Sequence, residues 1–244
     1  MRIPRLYLPE TYQPGRVVAL NKEQAHYALT VLRLKPGHPL QVFDGQGQQA
    51  EAELQVISKR EAQIILGEIS RPNTESPLNT LLLQGISRGE RMDYSLQKAV
   101  ELGVSAIQPV FTERCEVKLD DSKAEKRRQQ WQAMVISACE QSGRCVVPEV
   151  KPLITLEDWF KQNPQAPGLV LDPYAQHNLK DLPKPDFSQP LALLIGPEGG
   201  LSEQEVATAV SHKFTAIQLG PRILRTETAA PTILSILQAQ WGDL

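Results

Sequence analysis

Residues 196–200, with the sequence Gly-Pro-Glu-Gly-Gly, directly follow a run of five apolar residues. Glycine lets the backbone adopt positive φ and approach a ligand closely. Three glycines around a proline exceed what a strand-to-helix turn needs, although the spacing alone leaves a simple tight turn open. The loop lacks the Lys-Ser/Thr pair of a nucleotide-binding P-loop. Its carboxylate, Glu198, would repel a triphosphate and favour a cationic ligand.

A second segment with candidate chemistry is residues 219–230, Leu-Gly-Pro-Arg-Ile-Leu-Arg-Thr-Glu-Thr-Ala-Ala. It leaves another predicted strand and enters an apolar C-terminal helix, with Pro231 expected near the first turn of that helix. Arg225 and Glu227 could act on a ligand or could form a local ion pair that caps the helix. Because ligands of open α/β sheets bind beyond the carboxyl ends of the strands, we expect both segments to meet at one site.

Residues 45–50, Gly-Gln-Gly-Gln-Gln-Ala, match the dinucleotide-binding pattern G-x-G-x-x-A only formally. That fingerprint opens a helix within a βαβ unit. Here the residues connect two β-like runs, so a hairpin is expected and a nicotinamide dehydrogenase is disfavoured.

The elements around these motifs predict two domains that meet near the proline-containing linker 71–77. Residues 1–72 contain short strands at 40–43, 52–57 and 63–69 and one helix at 23–34, which indicates a small β-barrel. Residues 73–244 alternate strands and helices, which predicts an α/β fold with a mostly parallel sheet. The strands are expected at 80–85, 106–111, 168–171, 191–195 and 216–219. Capping boxes are expected at Ser122 with Glu125 and at Ser202 with Glu205.

Charge and cysteine content narrow the class of protein. The formal net charge is −2, but residues 1–43 hold six Lys or Arg against two Glu, which is compatible with RNA contact through this part. Three cysteines without metal-ligand spacing and four scattered histidines predict no disulfide frame and no metal site. We expect no signal peptide and no membrane span, and hence a cytoplasmic protein.

Residues 196–202 together with 219–229 resemble the small-subunit ribosomal RNA uridine-N3 methyltransferase family of bacteria, which belongs to the SPOUT class of trefoil-knotted methyltransferases. The resemblance runs in order along essentially the whole chain. Further matching residues are His26 and the segments 31–33, 43–45, 98–104, 112–115 and 140–144.

The resemblance implies a fold and a set of partners. The fold would be a SPOUT α/β trefoil-knot methyltransferase domain, residues 73–244, preceded by a PUA-like β-barrel RNA-binding domain, residues 1–72. The enzyme would be a homodimer with its active site at the subunit interface and would use S-adenosyl-L-methionine. Its substrate would be one uridine of 16S rRNA near the decoding centre, in the 30S ribosomal subunit, without a metal or a membrane.

The resemblance and the chemistry of N3 methylation together assign roles to individual residues. Arg225 is the first choice to stabilise the uracil anion, with Glu227 or Glu198 as proton acceptor or as a clamp for that arginine. Candidate RNA contacts are Arg2, Arg5 and Arg33 in the basic part, with Arg114 and Arg144 in second place. The cofactor-binding candidates are Leu171, Ile195, Gly196, Gly199, Gly200, Leu219, Gly220 and Leu224.

Two rival hypotheses stay open at this point. One is a non-catalytic RNA-binding or ribosome-assembly factor with the same fold, which would not bind S-adenosylmethionine. The other is a SPOUT enzyme that acts on another RNA, for example at ribose 2′-O, where no uracil proton has to leave.

Overall fold

The computed structural model describes residues 3–244, so Arg2 lies outside the described part of the chain. Two compact units can be distinguished. The first runs to Glu75 and also contains Cys139–Val147, a segment that a single boundary at residue 72 does not include. The second comprises Ser76–Ala138 and Pro148–Leu244.

The first unit is a five-stranded sheet in the order β1-β3-β4-β5-β2, built around one apolar core. Strand β1 pairs in parallel with β3, and the other neighbours are antiparallel. The strands are β1 Arg5–Tyr7, β2 Val17–Ala19, β3 Pro39–Phe43, β4 Gln49–Val56 and β5 Ala62–Ser70.

The predicted hairpin between β3 and β4 is confirmed. The Asp44 carboxylate accepts hydrogen bonds from the backbone N–H groups of Gln46 and Gln48, at 2.7 and 2.9 Å, which closes the turn. The formal dinucleotide pattern therefore lies in a β-hairpin and opens no helix, which removes the structural basis for a dehydrogenase.

One helix of this unit differs from its prediction. Helix α1, Lys22–His26, continues as a single π-helical turn at Tyr27–Val31, in place of a regular helix over 23–34. The π turn shifts the register of the helix, so that Tyr27 and Val31 are exposed and Ala25 and Ala28 are buried.

The second unit is built on a parallel sheet in the order β11-β13-β10-β12-β6-β7-β8, with β9 also paired to β7. Apolar side chains fill its central strands, as expected for a sheet covered on both faces. The strands are β6 Thr80–Gly85, β7 Ala106–Phe111, β8 Glu149–Val150, β9 Ile154–Thr155, β10 Gly168–Leu171, β11 His177–Asn178, β12 Leu191–Ile195 and β13 Phe214–Gln218.

Five helices complete this part of the chain, together with a short 3-10 turn at Leu179–Asp181. The predicted capping box of Ser202 and Glu205 is confirmed at the start of α5. The one predicted at Ser122 is wrong, because the Asp120 carboxylate accepts from the Lys123 N–H at 2.9 Å and starts the helix two residues earlier. The helices are α2 Glu90–Glu101, α3 Asp121–Ser142, α4 Leu156–Gln162, α5 Glu203–Ser211 and α6 Thr226–Trp241.

The return of the chain after β13 brings the last helix to the middle of the sheet. Helix α6 packs against α2, the helix that follows β6, and β6 is separated from β13 by β10 and β12. Residues 219–225 therefore pass the carboxyl ends of β10 and β12, the crossing expected of the predicted knotted fold. Pro231 lies in the second turn of α6 and not in its first, so the prediction for this proline is wrong.

Candidate functional site

A cavity of about 1100 Å³ lies at the carboxyl ends of β10, β12 and β13. All eight predicted cofactor-binding residues line it, as do Glu198, Arg225, Glu227 and Arg114. The structure therefore brings together the loop at 196–200 and the segment 219–228, as expected from their positions after two strands of one parallel sheet.

The loop after β12 is folded tightly against itself. The Gly200 N–H donates to the Pro197 carbonyl at 2.9 Å, and Gly200 has a φ of +71°. A Cβ atom at Gly196 would lie 2.8 Å from the backbone carbonyl carbon of Gly200, so that only glycine fits there. This loop presents its backbone to the cavity in a conformation that other residues would strain.

Glu198 is fixed at the edge of this loop. Its carboxylate accepts hydrogen bonds from the Arg88 backbone N–H at 2.9 Å and from the Arg91 guanidinium at 3.1 Å. Partial burial raises the pKa of Glu198, but the N–H groups of Arg88 and of Glu198 itself, together with Arg91, outweigh burial and lower the pKa below its ordinary value. Glu198 is thus an ionised anchor and a poor proton acceptor.

Arg225 and Glu227 flank the start of α6 on the wall of the cavity. Within residues 3–244 neither side chain forms an ion pair, so the local pair that could have capped the helix is not observed, and Arg225 makes no capping hydrogen bond. Glu227 Oε2 is buried, and no group in the described chain donates to it. Arg225 and Glu227 therefore both line the cavity, and neither forms an ion pair within the described chain.

Arg114 holds the far side of the loop. Its Nη1 donates to the Gly199 carbonyl at 3.1 Å, and the rest of this exposed side chain passes over the position that a Cβ of Gly199 would take. Arg114 therefore contacts the candidate cofactor loop directly, at Gly199.

Comparison with known proteins places the chain in a family. A family model described as an RNA methyltransferase domain matches residues 74–238, and one described as an RNA methyltransferase PUA domain matches residues 20–67. A ribosomal RNA small subunit methyltransferase E from Buchnera aphidicola subsp. Schizaphis graminum is 37% identical over 244 residues, which cover 100% of this chain and 98% of the relative. The chain belongs to the ribosomal RNA small subunit methyltransferase E family.

Other members of the family agree in sequence and in structure. The Bacillus subtilis methyltransferase E is 31% identical and covers 91% of this chain and 90% of its own length. The crystal structure of the Neisseria gonorrhoeae methyltransferase E bound to S-adenosyl methionine superposes with a TM-score of 0.92, at 42% identity and with full coverage of both chains. These likenesses confirm the predicted fold class, a PUA-like unit followed by a SPOUT-type α/β methyltransferase domain.

Two arginines that were predicted to contact RNA, Arg144 and Arg5, bind other residues of the first unit. Arg144 is buried, and its guanidinium lies 2.6 Å from the Glu75 carboxylate. Arg5 donates to the Gln49 side chain at 3.0 Å and to the Arg144 carbonyl at 3.1 Å. Their RNA contacts stay predictions, and the structure supplies each of them with internal partners.

Arg33 is placed differently. Its side chain is exposed, and its backbone has a φ of +53°, which is uncommon for a residue other than glycine. This arginine is accessible to a polyanion.

Several cavity residues of this methyltransferase family member were not among the predicted ones. Arg91 and the Arg88 N–H, which hold Glu198, follow β6, so the strand-exit rule applied to β12 and β13 would also have found them. Further lining residues outside the predicted set include Asp172, Tyr174 and Ile223. Asp172 follows β10 directly and Ile223 lies in the segment 219–230, so the same rule also points to these two.

Over residues 3–244, no helix combines the length and apolar character of a membrane span. The same part of the chain contains no cluster of three or more histidine, cysteine or acidic side chains placed to hold a metal ion.

Proposed function

We propose that this chain transfers a methyl group from S-adenosylmethionine to N3 of one uridine in 16S rRNA. The observation that carries the proposal is the cavity in which the glycine loop after β12 faces Arg225 and Glu227 at the start of α6. The family names support an activity on the small ribosomal subunit RNA, and the Neisseria structure supports the cofactor.

The cavity suits a cationic nucleoside. Its volume of about 1100 Å³ is at the upper end of ligand pockets, which leaves room for a cofactor and a base together. Its lining carries both signs of charge. Four acidic side chains, Asp172, Glu198, Glu203 and Glu227, favour a positively charged sulfonium, and four arginines, Arg91, Arg114, Arg222 and Arg225, favour the anionic RNA. We propose that the backbone of residues 196–200, with Leu171, Leu219, Gly220 and Leu224, holds the cofactor.

The reaction requires the N3 proton of uracil to leave before or as the methyl group arrives. S-adenosylmethionine supplies the methyl group on its cationic sulfur. We assign proton acceptance to the Glu227 carboxylate, so that the N3–H bond breaks and its electron pair forms the new bond from N3 to the methyl carbon. The bond from that carbon to sulfur breaks and neutralises the sulfonium.

The role of Arg225 follows from where charge develops. As the proton leaves N3, negative charge spreads onto O2 and O4 of uracil, and a guanidinium that is not neutralised by another side chain can stabilise it. Arg225 has no carboxylate partner in the described chain, which leaves its charge available for a substrate.

Glu227 is a better proton acceptor than Glu198 because of their partners. Glu198 accepts from an arginine and a backbone N–H, which stabilise its ionised form and weaken it as a base. Glu227 has a buried carboxylate oxygen to which no described group donates. An N–H donor such as uracil N3 would satisfy that oxygen.

We propose that residues 1–72 help to bind the RNA and that residues 73–244 carry the transfer, in a cytoplasmic homodimer acting on the 30S subunit. Tyr174 and Ile223, which are 83% and 72% exposed beside the cavity, are apolar surface that a second copy of the chain would cover.

Calorimetry with S-adenosylmethionine alone tests the proposal at its first step. We expect saturable binding at one site per chain and no heat with NAD. Absence of S-adenosylmethionine binding would favour the non-catalytic assembly factor over the enzyme.

A further inference from the structure

A buried hydroxyl joins the two halves of the candidate site. Thr226 Oγ1 donates to the Gly196 carbonyl at 2.7 Å, across 30 residues of chain. Thr226 is the first residue of α6 and stands between Arg225 and Glu227 in the sequence. The hydrogen bond therefore connects the first residue of the glycine loop to the backbone that carries both candidate catalytic side chains.

The side-chain amide of Gln84 donates a hydrogen bond to the same Thr226 hydroxyl. Gln84 is the second-last residue of the central strand β6 and is fully buried, and its Nε2 donates to Thr226 Oγ1 at 3.0 Å and to the Gly85 carbonyl at 3.1 Å. Thr226 can thus accept from Gln84 and donate to Gly196 at the same time. Burying an amide is costly unless it is hydrogen-bonded, and these two bonds satisfy Nε2. The other polar atom of the amide, Oε1, is buried with no hydrogen-bond partner in the described chain.

The next residue on β6, Gly85, packs directly against the glycine loop at 196–200. A Cβ atom at Gly85 would lie 2.7 Å from the ring nitrogen and from Cδ of Pro197, so the glycine loop rests directly on the strand end. Ser87 also donates to the Gly85 carbonyl, at 3.3 Å. The end of β6 is therefore one platform under the loop and under the start of α6.

We propose that Gln84 and Thr226 are positioning residues for the transfer, which fix the distance between the cofactor loop and the Arg225–Glu227 pair. The inference rests on the proposed function, because it takes the loop as the cofactor site and the pair as catalytic. Methyl transfer depends on alignment of the sulfur, the methyl carbon and N3, and a displacement of about 1 Å can reduce a rate about 100-fold.

The central test compares Thr226→Val, which keeps the shape and removes the hydroxyl, with Thr226→Ser, which keeps the hydroxyl. The measurements are kcat on 30S subunits, the Kd for S-adenosylmethionine and the melting temperature. We expect Thr226→Val to lower kcat about 10- to 100-fold and to weaken cofactor binding, and Thr226→Ser to retain most of both. Gln84→Met should reproduce the loss, and it serves as the test if Thr226→Val does not fold.

Two matched variants separate positioning from stability. Thr80 is an equally buried threonine at the start of the same strand, and its hydroxyl has no hydrogen-bond partner within the described chain. Thr80→Val should leave kcat and Kd unchanged. Gln238 is a buried amide at the other end of α6, which donates to the Leu102 carbonyl at 2.9 Å. Gln238→Leu should lower the melting temperature without changing kcat or Kd.

The double variant Gln84→Met with Thr226→Val tests whether the two act as a unit. A shared role predicts that the double variant loses no more than the worse single variant. If the wild-type protein binds S-adenosylmethionine, and Thr226→Val and Gln84→Met both have normal kcat and Kd, the positioning inference is wrong. The proposed function would not be affected by that result. Wild-type protein that does not bind S-adenosylmethionine would overturn the proposed function, and the inference with it.

Discussion

The Glu198 carboxylate accepts a hydrogen bond of 3.1 Å from the Arg91 guanidinium, which joins the loop after β12 to the first turn of α2. The Arg88 backbone N–H, at 2.9 Å, donates to the same oxygen of Glu198. The acidic residue of the glycine loop, Glu198, thus secures the loop, whereas Oε2 of the acidic residue on the helix, Glu227, has no hydrogen-bond partner in the described chain.

We predict that Glu198→Gln lowers stability at neutral pH, with a difference from wild type that shrinks at acidic pH, and leaves the pH profile of the reaction unchanged. The pKa of Glu198 is lowered in the folded chain, so its ionised form contributes stability above its unfolded pKa, and this contribution is lost as pH falls through the folded pKa. Melting temperatures at neutral and at acidic pH should therefore differ more in the wild type than in Glu198→Gln. A displaced acidic limb of kcat in this variant would mean that Glu198 carries the proton.

For Glu227→Gln we expect kcat to fall about 100- to 10,000-fold, because a general base is removed. The Kd for S-adenosylmethionine should stay the same, since the amide has nearly the shape of the carboxylate. Single-turnover methylation and calorimetry measure the two quantities. Glu157→Gln is the matched control, since Glu157 also lies in the first turn of a helix but does not line the cavity. Equal rates for the two variants would contradict a base at Glu227.

Replacing Arg225 by Lys keeps the charge but removes the planar guanidinium donors. We expect kcat to fall about 100-fold, the loss typical of one missing donor to a developing anion, with the cofactor Kd unchanged. Arg127→Lys, at an exposed site on α3, should retain full activity. A rise in KM for RNA with unchanged kcat would show that Arg225 binds the substrate without stabilising its anion.

Gly196→Ala tests the geometry of the loop. The added Cβ would lie 2.8 Å from the backbone of Gly200 and Leu201, so the loop must move and cofactor binding should become undetectable. Gly67→Ala is the control, because its Cβ would make an ordinary contact of 3.4 Å with Glu51. An unchanged Kd in Gly196→Ala would show that the cofactor is bound elsewhere.

Replacement of Arg33 by alanine should affect RNA binding, whereas replacement of Arg144 should affect the stability of the fold. Arg33→Ala should weaken RNA binding at all sequences and reduce the slope of log K against log salt by about 1, with the melting temperature unchanged. Arg144→Ala should instead destabilise the protein by about 3 kcal/mol, because it leaves Glu75 without its buried partner. An equal salt slope for Arg33→Ala and the wild type would remove Arg33 from the RNA surface.

The parts of the fold that could be predicted are those fixed by local sequence. Strands β6, β7, β10 and β12 have the predicted bounds, because each is a short run of mainly apolar residues between turn residues. Strands β1, β2, β8, β9 and β11 were missed, since two or three residues carry no periodicity. The segment Cys139–Val147 could not be assigned to the first unit, because only tertiary contacts place it there.

The candidate site, like the fold, could be predicted from the sequence only in part. Its glycine loop and Arg225 could be found from the two strand exits. The roles of Glu198 and Glu227 could not be separated, because the choice depends on Arg91, which contacts Glu198 across 107 residues of chain. The buried bond between Thr226 and Gly196 has no sequence signal, since a threonine at a helix start is ordinary.

The central claim is tested most directly by analysing the nucleosides of 30S subunits after incubation with the purified protein and S-adenosylmethionine labelled in its methyl group. Subunits from cells that lack the gene are the substrate. We predict that the label is found in 3-methyluridine from a single position of 16S rRNA, with none formed by Glu227→Gln. Label in a ribose 2′-O-methyl group or in another base, or no transfer at all, would contradict the proposed function.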